Sequence, residues 1–125
     1  MRVKVFTAAL AAALAATIAA IPVEAHHSYA MFDKSREIEL ANVTVREWQW
    51  TSPHTWLYVI ATNGDRYSIE GGNPGLMRRL GFAKGSIMPG QRVTVYMAPL
   101  RSGLKGGALN AVRLANGQML GERLR

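Results

Sequence analysis

The run Glu37-Ile-Glu-Leu-Ala-Asn-Val-Thr-Val-Arg-Glu-Trp-Gln-Trp50 alternates in hydropathy, as a strand with one face on a core does. Ile38 and Leu40 share one parity, Val43 and Val45 take the other, and Trp48 and Trp50 switch back. Strand side chains alternate strictly between the two faces, so each switch requires an extra residue, a β-bulge. Two bulges in one long strand imply strong bending, and a strand bent in this way can serve both halves of a small barrel.

Downstream, Thr51-Ser52-Pro53-His54 reads as a turn, with proline supplying a fixed φ. Thr55 to Ala61 is rich in β-formers on both faces and reads as a second strand. Asn63-Gly64 predicts a type I′ hairpin into a third strand, Arg66 to Glu70, with Tyr67 and Ile69 on one side. Gly71-Gly72 breaks the sheet. Asn73 then suits an N-cap, with Pro74 at the first helical position and Gly81 as the stop. The intervening helix, with Leu76, Met77 and Leu80 as its stripe, is too short to be stable unless it packs on the sheet. Pro89-Gly90 leads to a fourth strand, Gln91 to Met97. A glycine-rich basic loop, Pro99 to Gly107, precedes a fifth, Leu109 to Leu114, and Asn116-Gly117 turns the chain back through Met119-Leu120.

Three strands, a helix and two more strands, the first long and bent, form the order of an OB-fold. The expected fold class is therefore mainly β: a five-stranded OB-fold-like barrel over residues 37–125, with one short helix between strands three and four. A lone helix at that point argues against a β-sandwich fragment.

Upstream, residues 26–36 form an arm without a clear period, which Tyr29, Met31 and Phe32 are apolar enough to tie to the body. Residues 1–25 have the parts of a cleavable signal peptide: Arg2 and Lys4, an uncharged Ala-rich run from Val5 to Ile21, Pro22, and Val23-x-Ala25 at the cleavage positions. The run is short and weakly apolar for a membrane span. Export by a Sec-type signal to the periplasm is the expectation, with no stable span after cleavage.

The chain has 15 Lys+Arg and 8 Asp+Glu. Removing Arg2, Lys4 and Glu24 leaves 13 basic residues against 7 acidic, a net of +6. Such a domain could meet an anionic envelope component. Arg78-Arg79, Arg101 and Lys105 are the residues for that contact, but the basic residues are scattered, as on an ordinary soluble surface. Nucleic acid is not an expected partner, because the expected compartment lacks it. There is no cysteine, so neither a disulfide nor a thiolate metal site is available.

The stretches AHHSYAMFD, REWQWTSPHTWLYV, EGGNPGLMRRLGF and PGQRVTVYMAPLRSGLKGGAL, with the closing NGQMLG, resemble a family of small exported bacterial proteins described only as a domain of unknown function. The resemblance covers nearly all of the chain after residue 25. In that family the turn is often Asn-Pro-His, where this chain has Ser52-Pro53-His54. The resemblance implies a fold and a compartment but no activity.

All three histidines fall in two motifs, His26-His27 in the arm and His54 in the first turn. Cleavage after Ala25 would leave a free amine beside two imidazoles. The amine and Nδ1 of an N-terminal histidine chelate one metal together, and a third imidazole would complete a nitrogen-rich site favouring copper. Met31 would add a soft ligand and Asp33 an oxygen. The competing reading is a polar tail and a histidine that only caps its turn.

Trp48, Trp50 and Trp56 surround the same turn. They fit a core, or else a stacking face for a protein, cell-wall or small organic ligand, in which case the protein is an OB-type interaction module without a metal. Glu47 and Glu70 read as strand residues on the outer face. No paired-carboxylate or Ser/His/Asp pattern is evident, and residues 71–75 lack phosphate-loop spacing. Nothing in the residues requires an enzyme.

Overall fold

A computed structural model describes residues 30–125. The expected signal peptide, Tyr29, and both His26 and His27 lie outside the described residues.

Among the described residues six strands and one helix follow in chain order: β1 (Ile38–Gln49), β2 (Trp56–Ile60), β3 (Arg66–Glu70), α1 (Pro74–Arg79), β4 (Arg92–Pro99), β5 (Gly106–Arg113) and β6 (Met119–Gly121). The sheet order is β3-β2-β1-β4-β5-β6, and a further parallel pairing of β3 with β5 closes five strands into a barrel. α1 lies between β3 and β4 in the chain. The architecture is the OB-like barrel that the sequence predicts, with β6 an extra ribbon antiparallel to β5.

β1 bends where the parity switches. Against β4 its register shifts between Leu40 and Val43, and against β2 between Val45 and Glu47. At the first break Asn42 takes a left-handed φ of 53°, a conformation asparagine tolerates better than most residues. The break turns Val43 and Val45 into the barrel, each 1% exposed. There they meet Leu57, Val59, Ile69, Val93, Val95 and Val112, while Ile38, Leu40, Trp48 and Trp50 pack against the same core.

The Asn63-Gly64 turn differs from the expected type I′, and the Asn116-Gly117 turn has the same form. Type I′ requires positive φ at both central residues, yet only the glycine of each pair has it, Gly64 at 89° and Gly117 at 88°. Gly64 N–H donates to the Ala61 carbonyl and Gly117 N–H to that of Leu114, each at 2.9 Å. These are type I turns followed by a left-handed glycine, the three-residue hairpin loop.

The helix starts as predicted: Asn73 Oδ1 accepts from Leu76 N–H at 2.9 Å and Pro74 opens the first turn. Gly81 follows with φ 93°. Met77 and Phe82 are buried and join the core. β5 begins three residues before the predicted Leu109. Its first two residues, Gly106 and Gly107, pair with Ser68 and Ile69 of β3. A Cβ on Gly107 would strike the Ala98 carbonyl, so the glycines read as loop formers are strand residues at a crowded seam.

The arm is tied down from Met31 onward. Phe32 bridges Leu100, Asp33 N–H donates to the Pro99 carbonyl (2.8 Å), and Arg101 N–H donates to the Met31 carbonyl (2.8 Å). No described helix is long and apolar enough to cross a membrane.

Candidate functional site

The turn 51–54 delivers His54 to the barrel surface. Ser52-Pro53 is a cis peptide, and Thr51 Oγ1 donates to the His54 carbonyl at 2.7 Å, closing the turn. Beyond it the chain is zipped to the end of β3. Thr55 N–H donates to the Gly72 carbonyl (2.9 Å) and Gly71 N–H to the Thr55 carbonyl (2.8 Å). Thr55 itself is fully buried, its hydroxyl donating to the Gly72 carbonyl at 2.9 Å. A Cβ on Gly71 would collide with that hydroxyl. The glycine thus permits the close approach that sets the His54 ring over the Gly71 backbone.

His54 Nδ1 stands 3.1 Å from the Gly71 carbonyl and 3.2 Å from Glu70 Oε1. A carbonyl can only accept, so Nδ1 carries a proton. In the neutral ring the lone pair then sits on Nε2, which meets no partner among the described residues. Metal-bound histidines are held in the same way, one nitrogen donating to a carbonyl or carboxylate and the other free to coordinate. The His54 side chain is 39% exposed and that of Glu70 only 15%.

Glu70 is a strand residue on the outer face, as expected, but it is not left to solvent there. Its position does face outward, opposite Trp56 on β2 and Ala108 on β5. That part of the outer face, however, is roofed by the arm and the loop after β4. His54 and Glu70 line a cavity of about 170 Å³ with Phe32 and Lys34 of the arm, Leu76 of α1 and Leu109 of β5. No local sequence signal marks Glu70, because most of its cover comes from residues thirty or more positions away, such as Phe32 and Leu100.

The remaining predicted residues are dispersed. Met31 is half exposed and lines a second cavity, which shares Phe32 and Glu70 with the first. The Asp33 carboxylate turns back on its own chain, where Oδ1 accepts from Ser35 N–H (3.1 Å) and Oγ–H (2.6 Å). The Ser35 hydroxyl, before the more distant Arg101 and Arg36, holds the Asp33 carboxyl below its ordinary range. Among the described residues no group of three or more His, Cys, Asp or Glu could hold a metal ion. A complete nitrogen-rich set therefore requires His26 or His27.

The three tryptophans do not form one face. Trp48 pairs with Leu57 and points to the core side, its Nε1 donating to the Ala83 carbonyl at 3.1 Å. Its ring packs against Trp50 (5.7 Å between centroids) and Phe82 (5.8 Å). Arg78 lies over Trp50. Trp56 points the other way, stacked on Tyr58 and lining the second cavity. Of the basic loop residues, Lys105 is paired with Asp65 at 2.7 Å.

No curated protein and no solved structure matches the chain. Residues 13–110 match the family model described as a family of unknown function (DUF6152). That span takes in the arm, the His54 turn, the helix, β1 to β4 and the first five residues of β5. The chain belongs to this family.

Proposed function

We propose that the protein is an exported, periplasmic binding protein whose ligand is a metal ion, copper foremost. The observation that carries this reading is the His54 ring, held at Nδ1 by the Gly71 carbonyl and Glu70 with Nε2 left as a donor, in a cavity walled by the N-terminal arm. Three residues separate Met31 from His27, and the four steps between them span at most about 13 Å when extended. In this reading the arm brings His27, and behind it the amine and ring of His26, toward His54. The amine and ring of His26, completed by His27 or His54, make a nitrogen-rich set that suits Cu(II). Met31 would stand by for the reduced ion. The role is binding rather than turnover, since neither cavity contains a nucleophile paired with a base.

The test is native mass spectrometry of protein purified from the periplasm, with one equivalent of Cu(II) and a competing chelator. The expected spectrum begins at His26 and retains one copper, and His54→Ala loses that copper while keeping the wild-type melting temperature within a few degrees. A correctly cleaved chain that surrenders its copper to the chelator overturns the reading.

One observation favours a second reading, an OB-type interaction module. The outer face of β2 and β3, between the first turn and the loop after β4, is where OB-folds take ligands. Here it presents Trp56 and the second cavity. Ligand binding that survives His54→Ala and fails in Trp56→Ala would favour this reading over the metal.

A further inference from the structure

Glu70 borders two cavities. The second, of about 270 Å³, lies on the outer face of β2 and β3, where Phe32, Trp56, Leu100 and Leu104 supply its apolar walls. Leu104 is 72% exposed, a large apolar side chain left to solvent at the rim. Lys105 also reaches the rim, but its ammonium is engaged by Asp65. The carboxylate of Glu70 is mostly withdrawn from water, and its ion pair is with a histidine, which carries charge only when protonated. Against a neutral imidazole the pair keeps a net negative charge. A carboxylate at the edge of an apolar-walled cavity is a fitting seat for a cation that carries an apolar stem.

We propose that this groove binds a small primary alkylammonium ion. Its ammonium lies on the Glu70 carboxylate beside the Trp56 ring, and its alkyl stem lies along Phe32, Leu100 and Leu104. An ammonium offers three donors and no acceptor, which suits the acceptor oxygens of the Glu70 carboxylate, and an aromatic face attracts a cation. Apolar walls take up the methylenes that a hydrated inorganic cation lacks. The site goes beyond the metal reading and stands without it, since it needs neither His26, His27 nor His54 Nε2.

The test uses n-hexylammonium, with hexanoate and 1-hexanol as matched anionic and neutral probes. Each is titrated into the full exported protein and followed by calorimetry and tryptophan fluorescence. Saturable binding of hexylammonium is expected, at least about tenfold tighter than 1-hexanol, with no binding of hexanoate. Glu70→Gln should weaken the amine by about tenfold or more while leaving 1-hexanol unchanged. Equal binding of hexanoate, or no saturable amine binding, overturns the proposal. So does a folded Glu70→Gln variant that binds the amine like the wild type. If that variant fails to fold, the comparison of the three probes on the unaltered chain decides. Copper retention in the same preparations separates this outcome from that of the metal reading.

Discussion

At the scale of single residues, the site depends on an absent side chain. Gly71 lies against the Thr55 hydroxyl so closely that a methyl group cannot be accommodated without a shift. Gly71→Ala must push apart the β2–β3 seam that seats His54. Overpacking of this kind costs about 1–3 kcal/mol, which for a domain of this size lowers the melting temperature by several degrees per kcal/mol. Thermal unfolding followed by circular dichroism measures it. Thr55→Ala in the same chain should recover part of the loss, and strict additivity of the two substitutions would show that the collision is not its source. His54 was legible beforehand because a Pro-His turn between two strands puts its side chain at a barrel end. Glu70 was not, because period-two alternation says only that it points outward. Whether outward means solvent depends on Phe32 and Leu100, and no local pattern encodes their bridge over that face.

At the scale of elements, β1 was the most readable part of the chain. Its parity switches located both bulges, since misplacing either would turn Val43 and Val45 out to water. The left-handed φ at Asn42 makes this testable. A β-branched residue there meets the left-handed penalty of about 1–2 kcal/mol, so Asn42→Val should lower the urea midpoint, whereas Asn42→Gly should leave it unchanged or slightly raised. An Asn42→Val chain as stable as the wild type would mean that the bulge slides to a neighbouring residue. The turns were less legible. Asn-Gly serves both the two-residue loop and the type I turn with a trailing glycine, and the choice depends on strand register, which dipeptide chemistry does not carry. Gly106 and Gly107 misled for a related reason. Glycine is poor in strands by propensity, and only the crowding between Ser68 and Ala98 explains its presence in β5.

At the scale of the whole molecule, Glu37 joins the start of β1 to the C-terminal residues. Its oxygens accept from Arg123 Nε (2.8 Å), Leu124 N–H (2.7 Å) and Asn110 Nδ2 (3.0 Å). Arg123 also lies 4.1 Å above the buried Tyr96 ring. Burial pushes the Glu37 carboxyl up, but the donors from Leu124, Arg123 and Asn110 more than offset it and hold the group below its ordinary value. A carboxyl whose pKa is lower folded than unfolded contributes stability above the unfolded value, near 4.5, and loses it as pH falls through the folded value. The melting temperature should therefore drop between about pH 5 and the folded value. Glu37→Gln should start lower at neutral pH and fall less over that window. Parallel acid titrations of the two chains would refute this if their melting curves stayed a constant distance apart.

The same clamp bears on how the barrel is reached during synthesis. It ties residue 37 to residue 123, while β1 pairs with β4 about fifty residues on and β3 with β5 about forty. Contacts so distant in sequence make for slow folding, of the order of milliseconds to seconds for all-β barrels. A chain still emerging from the ribosome lacks the partners that close the seam and fasten its first strand. The barrel can therefore close only after β5 has been made, and the clamp can form only after Arg123.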